Sequence, residues 1–221
     1  MNLQVENKKP KISNKERYRI NKLRFYEKDL KKKGYKYIAG IDEVGIGPLA
    51  GPVVAAACML PDRLIIKGVN DSKKLTEEVR VRIYDELVNN KDVVYSLGIV
   101  EVKIIDQINI HQASLLAMKN AILNLKVKPD YLIFDGRKHP IMPIESESII
   151  KGDSLCHSIS CASIIAKVTR DRIMEDYHQK YPLYGFNLHK GYGTEKHRKS
   201  LIEHGPCQIH RKSYDSVKVL S

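Results

Sequence analysis

The sequence predicts an α/β or α+β domain, with a mixed sheet and helices on its faces. Three observations carry this. Short runs rich in branched apolar residues, bounded by Gly, Pro or Asp, read as strands. Longer stretches with apolar residues at helical spacing read as helices. Two strands open the body, and helix and strand alternate after them. At 221 residues the chain suits one domain, or one domain with a small helical appendage, and it can bury a sizeable core. Residues 1–35 form the appendage and residues 36–221 the body. No internal repeat or low-complexity tract interrupts it.

Residues 1–13 are polar and read as loose chain. Asn14 can cap a helix that runs to about Lys33 and ends at Gly34. Leu23, Tyr26 and Leu30 give it a thin apolar stripe among lysines and arginines, so it lies on the body rather than inside it. Residues 37–42 and 53–60 are the first two strands. Thr76 caps a helix with Glu77 and Glu78 in its first turn, where carboxylates suit the dipole. Val79, Ile83, Tyr84 and Leu87 form its buried face. Residues 93–100 are a strand, 110–125 a helix ended by the lysine-rich stretch before Pro129, and 131–135 a short buried strand closing in Asp-Gly. Residues 148–151 read as an edge strand. Residues 157–181 form a long helix whose Ser, Ala and Ile content permits close packing on the sheet. Thr194 caps the last helix, which Gly205-Pro206 terminates.

The net charge is +12, and residues 1–35 hold 12 Lys/Arg against 4 Asp/Glu. Such an excess favours polyanion partners, nucleic acid before anionic membrane, against the plainer reading of a solvated basic helix. Cys58, Cys156, Cys161 and Cys207 show no C-x-x-C spacing and read as small hydrophobes of a reducing compartment, with no disulfide partner. No apolar run reaches membrane-span length and no apolar signal core follows the basic N-terminus, which points to a cytoplasmic protein without a membrane partner.

Residues 40–52 read Gly-Ile-Asp-Glu-Val-Gly-Ile-Gly-Pro-Leu-Ala-Gly-Pro. Asp42 and Glu43 stand at the end of an apolar run, directly before a glycine loop that lets backbone approach a ligand. Asp135 closes another strand, and ligand sites in such sheets lie beyond the carboxyl ends of strands. Asp153 lies in the loop after a further short strand. Four carboxylates brought together repel, and divalent cations relieve that. Oxygen ligands suit Mg²⁺ or Mn²⁺ rather than zinc. A metal-assisted phosphoryl transfer needs such an acid set beside bare backbone, and no serine or cysteine sits in a hydrolase elbow.

Residues 40–52 resemble the signature of the type 2 ribonucleases H, bacterial ribonuclease HII most closely. Residues 70–75, Asn-Asp-Ser-Lys-Lys-Leu, look like that family's second block, and Ile133-Phe134-Asp135-Gly136 like its third. Lys151-Gly152-Asp153-Ser154 with residues 162–171 looks like the fourth. Residues 189–194 and 205–211 look like the last two. Six blocks in the family's order are far more specific than any one motif.

The resemblance implies a ribonuclease H-like fold with a C-terminal helical part. It implies an endonuclease that cuts the RNA strand of RNA–DNA hybrids and cuts 5′ of ribonucleotides embedded in duplex DNA, leaving 5′-phosphate and 3′-hydroxyl ends. Asp42, Glu43, Asp135 and Asp153 are then the catalytic and metal-holding carboxylates, with two ions; a monomer is expected independently of the resemblance. The backbone of Gly45, Ile46 and Gly47 reads the 2′-hydroxyl, and Tyr192 stacks under the neighbouring sugar. Lys73, Lys74, Lys167 and Lys190 are candidate phosphate contacts. Asp171, between Arg170 and Arg172, reads as a helix ion pair instead. His189, His197, His204 and His210 lack zinc spacing and read as caps or phosphate contacts. This chain departs from the family's pattern at Ile46, where arginine stands between the two glycines.

Two rival functions remain. A non-catalytic nucleic-acid-binding relative would fit Ile46. A dinucleotide-binding fold would fit Gly45-x-Gly47-x-x-Ala50, with Asp62 on the ribose, but Pro48 and Pro52 interrupt the loop and a strand follows it where a helix should open.

Overall fold

The structure, a computed structural model, describes residues 12–220. The stretch expected to be loose, 1–13, lies almost wholly outside the described residues. Helices α1 (Asn14–Leu23) and α2 (Phe25–Lys32) replace the single helix expected over 14–33. Ser13 rather than Asn14 caps α1, its hydroxyl accepting the Glu16 amide at 3.2 Å. The chain breaks at Arg24 because two cores pull on it. Ile20 and Leu23 join one hydrophobic cluster and Leu30 joins another.

The body contains β1 (Ile38–Val44), β2 (Val53–Met59), α3 (Glu77–Val88), β3 (Val94–Val100), α4 (Val102–Ile108), α5 (Ile110–Leu123), β4 (Tyr131–Asp135) and β5 (Glu145–Ile149). After them come α6 (Gly152–Leu155), the long α7 (His157–Lys180), α8 (Phe186–His189), α9 (Glu195–His204) and α10 (Asp215–Lys218). The five strands form one mixed sheet in the order β3-β2-β1-β4-β5. The β1–β2 and β2–β3 pairs are antiparallel, and the β1–β4 and β4–β5 pairs parallel.

Strand β2 is apolar at every position because both its faces are covered. Val54, Ala56 and Cys58 pack with Cys161, Ala162 and Ile165 of α7, Ile83 and Leu87 of α3, and Ile20 of α1. Val53, Ala55, Ala57 and Met59 pack on Ile105 of α4 and Ala113, Ala117 and Ala121 of α5. Helix α7 crosses β1 so closely that a Cβ on Gly40 would lie 2.4 Å from the Ile159 amide nitrogen. A third cluster, with Leu49, Ala50, Met174, Phe186, Leu201, Ile209 and Val217, ties the loop after β1 to the C-terminal helices.

Two expectations need correction. The edge strand is Glu145–Ile149, not 148–151, and its polar alternation reflects one wet face. Asp153 consequently lies in the first turn of α6, not in a loop. Lys151, at φ 60°, makes the sharp turn between them.

Candidate active site

Parallel pairing sets the site. Ile41 of β1 lies opposite Phe134 of β4, so Asp42 and Asp135 follow at the same edge of adjacent strands. Asp135 in turn pairs with Ile149 of β5, and the turn into α6 brings Asp153 back: its amide points at Asp135 Oδ1, 3.4 Å away. Asp42 faces α7, where Ser163 stands beside it, and Ser163 Oγ meets Ser72 Oγ at 2.9 Å. That contact holds the 71–74 turn against the acids. Lys73 Nζ lies 4.0 Å from Asp153 Oδ2, with most of its side chain in solvent. Lys74 Nζ lies 3.5 Å from Asp71.

These acids are crowded and poorly hydrated. Burial, then Glu43 and Asp135, push the Asp42 carboxyl well above the usual range. Burial and Asp135 push Glu43 up to about 7. Burial, Asp135 and Asp71 raise Asp153. Partial burial opposes the charge on Lys73, but Asp153, Asp42, Asp71 and Asp135 together outweigh it and raise its pKa. Glu43 Oε2 is buried without a hydrogen-bond partner. Among the described residues no three His, Cys, Asp or Glu side chains form a ready-made metal cage. A small hard cation does not require one, because Mg²⁺ keeps several waters and takes one or two carboxylates together with substrate phosphate. An all-oxygen donor set, mutual repulsion and an orphaned acceptor fit such an ion.

Two buried arginines shape the loop that follows. Gly45 takes φ +100°, and its carbonyl accepts Arg211 at 2.5 Å. Arg211 also donates to the carbonyls of Ile46 at 2.9 Å and Gly51 at 3.0 Å, and Tyr214 Oη donates to Ile46 at 2.7 Å. Arg170 donates to the carbonyls of Pro52, Ala50 and Lys190. Both guanidiniums are fully buried, and among the described residues neither has a carboxylate partner, so backbone carbonyls carry most of their hydrogen bonding. The loop's carbonyls are turned inward, and its Leu49 and Gly51 amides donate to the carbonyls of Gly191 and Ile209, whereas among the described residues neither the Ile46 nor the Gly47 amide has a backbone acceptor. The Tyr192 ring faces this loop, 3.6 Å from where a Cβ on Gly47 would stand. Ile46 projects at the surface.

The remaining sequence candidates are distributed differently. Lys167 is engaged by Asp171 at 2.7 Å along α7, and Lys190 by Glu175 at 3.2 Å. His189, His197 and His210 are not at the surface to meet phosphate. They are buried and bonded to backbone and to each other. His204 lies 3.8 Å from Glu203. Cys58, Cys156, Cys161 and the half-buried Cys207 are all free thiols. Sequence reasoning missed Asp71, Ser163, Arg170 and Arg211. Arg170 and Arg211 stand within blocks of the resemblance, but only burial reveals their task.

A family model for ribonuclease HII matches residues 39–217. The chain belongs to the ribonuclease HII family. The ribonuclease HII of Bacillus thuringiensis (strain Al Hakam) is 51% identical over 211 residues, which is 96% of this chain and 81% of that one. The crystal structure of the ribonuclease H2 from Pyrococcus horikoshii OT3 superposes with a TM-score of 0.71 at 26% identity, covering 84% of this chain and 97% of the other. Bst-RNase HIII, solved in complex with Mn²⁺, shares the fold with a TM-score of 0.61 at 19% identity, over 82% of this chain and 68% of that one. As a ribonuclease HII relative the chain is a ribonuclease H hydrolase acting on nucleic acid, on the ribonuclease H-like mixed sheet that the sequence led us to expect. The family match leaves the dinucleotide-binding reading without support. No helix among the described residues is long and apolar enough to cross a membrane.

Proposed function

We propose that this chain is a metal-dependent endonuclease that hydrolyses the RNA strand of RNA–DNA hybrids and cuts 5′ of a ribonucleotide embedded in duplex DNA, leaving 5′-phosphate and 3′-hydroxyl ends. The observation that carries the proposal is the meeting of Asp42, Asp135 and Asp153 at one sheet edge, with Glu43 adjoining, directly before the Gly45–Gly47 loop that faces Tyr192. Asp42, Glu43, Asp135 and Asp153 are the residues that would hold Mg²⁺ or Mn²⁺, and the Mn²⁺ in Bst-RNase HIII supports that choice. Bound there, two ions supply Lewis-acid stabilisation of the attacking and leaving oxygens of an in-line displacement.

The chain's own residues do the recognition. The Ile46 and Gly47 amides, which have no backbone acceptor among the described residues, donate to a 2′-hydroxyl oxygen, which DNA lacks. Tyr192 supports the neighbouring sugar across the loop. Lys73, exposed at the mouth of the acid cluster, contacts phosphate, with Lys74 next to it. Lys167 and Lys190 would have to leave acidic partners to do so, and we assign them no phosphate. Residues 1–35 serve as a basic arm on a catalytic body of residues 36–221, and the protein acts as a cytoplasmic monomer.

The test is cleavage of a DNA duplex carrying one ribonucleotide, with Mg²⁺ and Mn²⁺ compared and the ends identified. Cleavage 5′ of the ribonucleotide with a 3′-hydroxyl is expected. A 2′,3′-cyclic phosphate end would overturn the mechanism, and no cleavage with either ion would favour the non-catalytic relative.

A further inference from the structure

The buried imidazoles form a directional chain whose tautomers follow from one fact: a backbone amide can only donate. The Cys207 amide points at His210 Nδ1, 2.9 Å away, so that nitrogen is unprotonated and accepts. The Cys207 thiol lies 3.1 Å from the same nitrogen. Neutral His210 must then carry its proton on Nε2. That nitrogen lies 3.0 Å from His197 Nε2, which therefore accepts. His197 in turn carries its proton on Nδ1 and donates it to the Tyr192 carbonyl at 2.9 Å. Every link is determined from Cys207 to Tyr192, and no alternative neutral arrangement satisfies all the partners.

A second imidazole grips the same turn. The Gly191 amide donates to His189 Nδ1 at 3.2 Å, so His189 carries its proton on Nε2 and donates to the Tyr184 carbonyl at 2.8 Å. The His189 and His197 rings stack at 4.4 Å. His197 and His210 are each no more than 1% exposed, and burial holds both down to about 4, so the neutral forms persist.

We propose that His197 and His210 are positioning residues for substrate selection: a tautomer-locked relay that fixes the backbone of Tyr192 and thereby sets its ring opposite the Gly45–Gly47 loop. The proposal rests on the reading of Tyr192 as the sugar platform. The His210 backbone bridges Ala50 of the loop, a contact that needs no imidazole, while its ring bonds to Cys207 and His197. It acts by forcing His197 into the tautomer that holds Tyr192.

The test combines kinetics on the one-ribonucleotide duplex with nitrogen-15 NMR of the imidazoles in the full chain. The spectra should show His197 protonated on Nδ1 and His210 on Nε2 at neutral pH; the reverse assignment would overturn the relay. His210→Gln keeps a side-chain N–H for His197 and should stay within about twofold of the parent, whereas His210→Leu removes it and should lower kcat/KM by about tenfold, the order of one buried hydrogen bond. In a Tyr192→Ala background the loss from His210→Leu should vanish, although any loss of melting temperature should persist. An equal kinetic loss in both backgrounds would make His210 merely structural and overturn the proposal. If Tyr192→Ala alone leaves kcat/KM unchanged, the platform reading itself fails, and the NMR assignment separates that failure from a failure of the relay. Should His210→Leu not fold, His197→Asn against His197→Leu provides the same contrast, since the Asn amide can stand where Nδ1–H stood.

Discussion

Asp42 is where the site's cost and use meet. Its crowding with Glu43 and Asp135 is unfavourable in the metal-free protein. Asp42→Asn and Asp135→Asn should each cut turnover by at least ~100-fold, since a lost ligand removes charge stabilisation of several kcal/mol. Metal-free Asp42→Asn should melt higher than the parent, and the gain should depend on pH. The folded chain keeps Glu43 protonated up to about 7, whereas the unfolded chain releases that proton near 4.5. Stability is thus lost as pH rises through that window. The gain from Asp42→Asn should be small below the window and full above it, and melting curves in chelator at its two ends decide this. Asp171→Asn should behave differently. It breaks the pair with half-buried Lys167 and should cost about 1 kcal/mol with turnover unchanged. A folded but inactive Asp171→Asn would move the fourth carboxylate from Asp153 to Asp171. At Ile46 the family's arginine is missing, and with it a cation able to hold a phosphate or an active-site carboxylate. Such a bond is worth about 1.5–3 kcal/mol, so Ile46→Arg should raise kcat/KM by about tenfold or more. Ribose selectivity should hardly move, because Arg211 and Tyr214 pin the loop backbone whatever the side chain. Equal rates for Ile46→Arg and the parent would mean that a neighbouring lysine already fills the role. Asp42 and Asp135 could be expected at one sheet edge because each closes an apolar run, whereas Asp153 was singled out only by the resemblance. Arg170, Arg211 and the histidines were not legible, because a cation bonded to carbonyls looks in sequence like any surface cation.

At the scale of elements, strands and helices with a full apolar period were readable, and β1, β2, α3, α5 and α9 stand close to where periodicity put them. Helices α6 and α8 span only 4 residues each, too short to display a period. The break between α1 and α2 follows from tertiary packing that no local pattern encodes. That packing also revises what the basic arm can tell us. Deleting residues 1–35 would strip Ile20, Leu23 and Leu30 from the cores, and with them the Glu27 carboxylate that accepts the Ser158 amide at 2.8 Å. Lys15, Arg17 and Lys22 are exposed, so a triple Gln variant should fold normally. If these residues meet phosphates, the salt dependence of substrate binding should flatten by about 0.9 per lost contact. Equal slopes would leave the arm a structural role. The turn at 189–194 has its own pH response. His197 and His210 stay neutral to about 4, facing the Tyr192 carbonyl, His189 and Cys207, whereas an unfolded histidine protonates near 6.5. Stability held by these rings is present above that value and falls as pH drops toward 4. The protection factor of the Tyr192 amide, which donates to the His189 carbonyl, should fall over the same interval, and an unchanged protection factor would show that the rings do not hold the turn.

At the scale of the molecule, topology explains why one sheet edge gathers the chemistry. Strands β1, β4 and β5 run parallel, so their carboxyl ends open on the same side, although residues 42 and 153 are far apart in sequence. The buried residues of the clusters on the two faces of the sheet all lie within or before α7. The loop after β1 differs, because its carbonyls are held by Arg211, 166 residues further along from Gly45.

That separation has a temporal meaning. A chain emerging from the ribosome completes its sheet and its carboxylates well before residue 211 is available, since synthesis runs N-terminal first at about 5–20 residues per second. Until then Arg170 can hold the Ala50 and Pro52 carbonyls, but those of Gly45, Ile46 and Gly51 lack the Arg211 guanidinium that organises them. Under the proposed function, the distant pairing would postpone selectivity, and the nascent chain would have its acids before its discrimination. Chains stalled short of residue 205 should therefore show protease-resistant strands but a protease-sensitive 45–52 loop, and completing the chain should protect that loop without changing the core. Equal protection of the loop before and after residue 211 emerges would show that it organises itself.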